Sequence, residues 1–120
     1  MPDEITVSGS LSVKKGTLDL EFSKTARQYN MTGTDAVHLT QTIGTSAELL
    51  DLGDITTPGM VLIFNNDEDN YVTIRGSSTG DDLIKIMPQE LSGPWRLGVT
   101  APYAIANTAA CQIEYLVIED

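Results

Sequence analysis

The chain has 120 residues, seven basic and seventeen acidic side chains, and a formal net charge of −10; that length allows one domain with a real core but hardly two. The acid is spread along the chain, with four basic and eight acidic groups in residues 1–60 and three and nine in residues 61–120, so no basic half or tail is available to lie on phosphates, and nucleic acid and anionic membrane are poor partners. With Cys111 the only cysteine, no intrachain disulfide can form.

The N-terminus, Met1-Pro2-Asp3-Glu4, is acidic where a signal peptide would be basic. The longest apolar run, Met60-Val61-Leu62-Ile63-Phe64, is far too short for a membrane-spanning helix. Folding and assembly in a reducing cytoplasm are therefore expected. Residues 1–10 read as an extended N-terminal arm, because Ser8-Gly9-Ser10 is a flexible break. Met1, Pro2, Asp3, Glu4 and Ile5 of that arm are candidates for contact with a partner.

Beyond the arm, the period is two nearly everywhere. Val, Ile and Thr make up 31 of the 120 residues, and these suit a pleated, half-buried surface. Leu11–Val13 and Thr17–Ser23 flank Lys14-Lys15-Gly16 and read as a hairpin. Leu18, Leu20 and Phe22 then alternate with polar residues, as do Val37, Leu39 and Ile43, and further on Val72 and Ile74. The window 44–52 is the best helical candidate, with one turn over Ser46–Leu50.

The turn Asn65–Asn70 resembles a calcium loop in composition but lacks the EF-hand spacing of Gly and Glu, so it reads as a hairpin turn. Gly76–Asp82 is the longest obvious loop. Trp95, in Leu91–Leu97, is expected against the end of the domain, with partner contact as the other reading. Finally, Cys111, Ile113, Tyr115 and Val117 alternate with Gln112, Glu114, Leu116 and Ile118. The second half of this strand is apolar on both sides, which predicts cover on both.

Breaks every 8–12 residues or so predict an all-β domain, a single β-sandwich of jelly-roll or Greek-key type with eight to ten short strands over residues 1–120. The alternating apolar sets, Leu18/Leu20/Phe22 included, are expected in one shared core.

The parts for catalysis are missing from the sequence. His38 is the only histidine, and it shares a strand face with Thr40 and Thr42; a cross-strand or solvated role is expected. One histidine and one cysteine give no zinc or cupin ligand set. A Ser-His-Asp triad would have only this base, and no Gly-x-Ser-x-Gly elbow is present. Walker and Gly-x-Gly-x-x-Gly loops are absent. Arg27, Arg75 and Arg96 are isolated and fit cross-strand pairing. A glycosidase carboxylate pair has few aromatics to serve as its sugar platform. Cys111 falls on the inward face and reads as a core thiol. No enzyme, metal or cofactor is expected; a scaffold or binding protein remains.

The segments Gly59–Asn66, Asn70–Ile74, Ile86–Glu90, Trp95–Leu97, Tyr103–Ala110 and Glu114–Asp120, with Ile43–Glu48 and Leu52–Asp54 before them, resemble small accessory virion proteins of tailed bacteriophages. That resemblance implies a structural role: a capsid decoration or cement protein on the head exterior, assembled in the host bacterial cytoplasm. Its partners would be the major capsid protein or other virion proteins. From that role, and not from the residues, follows a homo-oligomer, with a trimer favoured because capsids offer local three-fold sites. A tail, collar or baseplate accessory protein and a carbohydrate-binding adhesion module are the alternatives.

Overall fold

A computed structural model describes residues 4–120. Met1, Pro2 and Asp3, three of the expected contact residues, lie outside the described residues. The described chain is all-β and contains no helix. It divides into two compact units at the junction of Thr32 and Gly33.

The first unit is a two-stranded antiparallel hairpin, β1 (Ile5–Lys15) with β2 (Leu18–Tyr29). Two residues join the strands. Gly16 is at φ +60°, and glycine at the first central position suits the II′ class of hairpin turn. Residues 5–10, expected in a separate arm, are the first half of β1 and pair along β2. The Ser8-Gly9 break is a β-bulge instead: Val7 pairs with Arg27 and Gly9 with Lys24, which leaves Thr25 and Ala26 opposite Ser8. The Ala26 N–H donates to the Ser8 hydroxyl at 2.9 Å, and Ala26 takes a left-handed φ of +53°.

That extra residue keeps the far end of β2 in phase with the rest of the hairpin. The pairs Ile5–Tyr29, Val7–Arg27, Gly9–Lys24, Leu11–Phe22, Val13–Leu20 and Lys15–Leu18 all fall on one face. The pairs Thr6–Gln28, Ser10–Ser23, Ser12–Glu21 and Lys14–Asp19 fall on the other. Without the bulge, Tyr29 would cross to the polar side, because a one-residue slip reverses every side chain beyond it.

The second unit is a β-sandwich of two four-stranded sheets. One has the order β3 (Ala36–Ile43), β10 (Cys111–Glu119), β5 (Pro58–Asn65), β8 (Leu91–Arg96). The other has the order β4 (Glu48–Leu49), β9 (Tyr103–Ala106), β6 (Val72–Arg75), β7 (Asp82–Ile86). The pairs β3·β10, β4·β9, β5·β8 and β6·β7 are nested, first strand with last, and every ladder is antiparallel. Of the connections within the sandwich, β6–β7 stays in one sheet and each other one crosses between sheets. Asn65–Asn70 is thus an inter-sheet corner rather than a hairpin turn. The helical turn expected near residue 48 is strand β4: Glu48 accepts the Gly44 N–H at 2.7 Å, the Leu50 N–H donates to Pro102 at 3.0 Å, and Leu50 is buried. Such a short segment has nothing to offset helix nucleation.

The core forms between the inner faces. Ile43, Val61, Ile63, Val72, Ile74, Ile86, Cys111, Ile113, Tyr115 and Val117 are buried, with Val37, Leu39 and Trp95 packed against them. The alternation predicted for β3, β6 and β10 is therefore borne out. Leu18, Leu20 and Phe22 are not in this core; they are 47%, 63% and 66% exposed, and β2 pairs with β1 alone. In β8 the ladder bulges at Gly93, whose φ is +103°. A Cβ there would stand 2.7 Å from the Val61 carbonyl oxygen, so only glycine fits the close approach.

The register of β10 is directly testable. Ile113→Ala is expected to cost about 2–5 kcal/mol, as for a buried aliphatic truncation. Glu114→Ala, on the outer face, is expected to cost no more than about 1 kcal/mol. Urea melts of the two variants check the order, and a reversal would mean that the strand's faces are inverted.

Candidate functional site

The outer face of the β3-β10-β5-β8 sheet is built by the same alternation that fills the core. On β5, Val61 and Ile63 point inward, so Met60, Leu62 and Phe64 point out. On β10, Leu116 and Ile118 point out beside Glu114. Leu116 stands opposite Leu62, Glu114 opposite Phe64, and Phe64 opposite Leu91. These side chains line a shallow, largely apolar hollow of about 270 Å³. Leu91 is 59% and Leu116 39% exposed. Within the sandwich, the cover expected on both sides of β10 is therefore missing at Leu116.

Charge at this hollow is sparse and mutually satisfied. His38 Nε2 lies 2.6 Å from Glu114 Oε2 across the ladder, both side chains exposed. This is the cross-strand histidine read from the sequence. Arg96 and Asp120 pair at 3.0 Å beyond Met60. Arg75 also has a partner, Asp82 at 2.6 Å; the hydrogen bond from Arg75 holds the Asp82 carboxyl below its usual range.

Of the expected contact residues, Trp95 sits on the inner side of β8, half-buried, its indole N–H donating to Ser92 Oγ at 3.4 Å. It lines a second hollow of about 260 Å³ with Ile74, Leu83, Val99 and Pro102. Glu4 and Ile5 fall at the base of the hairpin. Glu4 accepts the Met31 N–H at 3.1 Å, which lowers its pKa, and Ile5 is buried.

The Asn65–Asn70 corner spends its polar atoms on its own backbone. The fully buried Asn65 donates through Nδ2 to the carbonyls of Asn70 (3.0 Å) and Ile86 (3.2 Å), and its Oδ1 accepts the Asp67 N–H at 2.9 Å. Asp67 accepts the N–H groups of Asp69 at 3.0 Å and Asn70 at 2.6 Å. Gln89 ties the next corner to Asn66 at 2.7 Å. Among the described residues no group of three His, Cys, Asp or Glu side chains is placed to hold a metal. Cys111 is buried, and burial raises its pKa. Tyr115 is buried with its hydroxyl 2.7 Å from the Asp51 carbonyl and 2.9 Å from Gln41 Oε1. Burial, with the Asp51 carboxylate adding to it, pushes the phenol up to about 12.

The sequence reading did not name the outer-face residues Leu62, Phe64, Leu91 and Leu116. The signal was there in part: a run of five apolar residues in β5 and a doubly apolar end to β10 mean that some apolar side chains face out. Comparison with protein-family models, with curated proteins and with solved structures finds no match for the chain.

Two measurements test these local arrangements. Replacing Asn65 with Leu strands two carbonyls and an N–H at the corner and is expected to cost about 2–4 kcal/mol in urea melts, against about 0.5 kcal/mol or less for Glu68→Ala. Tyr115 keeps its proton in the folded chain to a higher pH than in the unfolded chain. Its contribution to stability is therefore full below pH about 10 and is lost as pH rises from there through about 12. Tyr115→Phe, which cannot ionise, is expected to show a flatter fall in urea midpoint over that window.

Proposed function

We propose that this protein is a virion structural protein of a tailed bacteriophage, most simply a decoration or cement protein on the capsid exterior. The observation that carries the reading is exposed apolar sheet surface on a strongly acidic β-sandwich. Leu62, Phe64, Leu91 and Leu116 form one such surface, and the hairpin carries another. Apolar surface of this extent is made for contact with protein, while a net charge of −10 disfavours nucleic acid and anionic lipid.

The nested strand pairing supports a jelly-roll reading of the sandwich. That architecture serves in viral capsid proteins as well as in lectins and cupins, so it supports the role by analogy alone. In this reading the work is contact area: copies bound across capsomer joints, a homo-oligomer suited to local three-fold sites, and avidity from repetition on the lattice. No turnover or cofactor is involved.

Purified protein is expected to bind assembled, expanded capsids, to saturate at a stoichiometry set by the lattice, and to raise the temperature at which the capsids fall apart. Binding is expected to vary little with salt, since an acidic protein releases no condensed counterions as a polycation does on DNA. Co-purification with tails, or binding to a glycan array with no affinity for capsids, would overturn the capsid reading.

A further inference from the structure

Each of the two units carries an apolar face that its own strands leave open, and the two faces complement each other. The hairpin face presents Leu11, Val13, Leu18, Leu20 and Phe22, between 43% and 78% exposed. Its charged neighbours on the same face are Lys15, Lys24 and Arg27, all basic. The sandwich face presents Leu62, Phe64, Leu91 and Leu116, with Glu114 and its partner His38 beside them. We propose that the hairpin of one chain docks by its apolar face on the outer face of the β3-β10-β5-β8 sheet of a second copy.

Three observations select this occupant. A two-stranded hairpin alone in water is marginal, and a third layer or strand against its apolar face is what stabilises it. Unbroken pairing from Ser10–Ser23 to Lys15–Leu18 puts Leu11, Val13, Leu18, Leu20 and Phe22 on one face, a layout that serves a ribbon packed on one side.

Charge then separates the candidate faces. Residues 1–32 carry four basic and four acidic groups, whereas residues 33–120 carry three basic and thirteen acidic. Two sandwiches repel, and two hairpin faces would bring lysine to lysine. A hairpin face on a sandwich sets three cations against an acidic body. Area is also adequate: the seven exposed apolar side chains at on the order of 100 Å² each, with the part-exposed Leu62 and Phe64, bury about 800 Å², and adjoining polar atoms bring the total to about the 1,000 Å² that a specific interface needs. Because the two faces differ, the contact is heterologous and can close into a ring. This inference does not rest on the virion reading: self-association without capsid binding would keep the one and remove the other.

The test uses the full chain in sedimentation at micromolar concentration. Wild type is expected as an oligomer of discrete mass, weakened several-fold as salt rises from about 0.05 M to about 0.5 M. Leu20→Asp with Phe22→Asp, and separately Leu91→Asp with Leu116→Asp, are each expected to weaken association at least about 100-fold and give monomers. Mixing the two variants is expected to restore a 1:1 heterodimer, since one retains the docking hairpin and the other the receiving sheet. Trp95 fluorescence in urea checks that each sandwich is folded; if Leu116→Asp lowers the midpoint, Leu91→Asp alone replaces the pair. A monomeric wild type overturns the proposal. So does a sheet-face variant that remains oligomeric, which would mean that hairpins pair with each other. Two monomeric variants that fail to combine overturn it as well.

Discussion

Strand β10 lies between β3 and β5, and the burial of Cys111, Ile113, Tyr115 and Val117 holds its register against both neighbours. A one-residue slip would turn four side chains, all among the largest fully buried ones, out to water and bring Gln112 and Glu114 into the core. The Gln112 and Glu114 exchanges combine lost apolar burial with an unpaired polar group, so alternative registers lie several kcal/mol above the native one. The β3·β10 pair is the outermost of the nested pairs, with β4·β9, β5·β8 and β6·β7 inside it, and the chain crosses between sheets at every connection but β6–β7.

Those crossings place heavy demands on the corners, where backbone leaves one ladder before it joins another. Asn65 meets this demand with a single buried side chain that offers two donors and an acceptor to three backbone groups. Asp67 holds the next turn in the same way. An acidic, Asn-rich segment that looks from composition like a cation loop is here a device for satisfying backbone amides without water. Tyr115 does similar work at the other side of the core, where its hydroxyl meets Asp51 and Gln41.

The same alternation that builds the inner face leaves Leu62, Phe64, Leu91 and Leu116 on the outer one. The hairpin is one-sided by the same alternation, which the extra residue opposite Ser8 extends to Tyr29. Both surfaces are apolar in an acidic chain, and apolar area that the chain does not bury itself is the ordinary mark of assembly. A virion coat and a ring of identical copies are both arrangements in which such area is covered.

The sequence by itself determined the all-β class, the inward set on β3, β6 and β10, a hairpin turning at Gly16 (though through Gly16-Thr17, with Lys14 and Lys15 in β1), the core thiol and the cross-strand role of His38. Each of these depends on a period of two or on a local turn residue, and such signals act over a few neighbours. Only the tertiary structure decided which alternating strands share a core. Leu18, Leu20 and Phe22 carry the same pattern as Val37, Leu39 and Ile43, yet they are exposed, because a period of two says that one face is apolar and not what lies against it. Likewise Glu48–Leu49 became a strand through partners in β9 distant in sequence, and the Asn65–Asn70 turn became a passage between sheets. Pairing across tens of residues is set by how the whole set of apolar faces is buried together, a property that no local window contains.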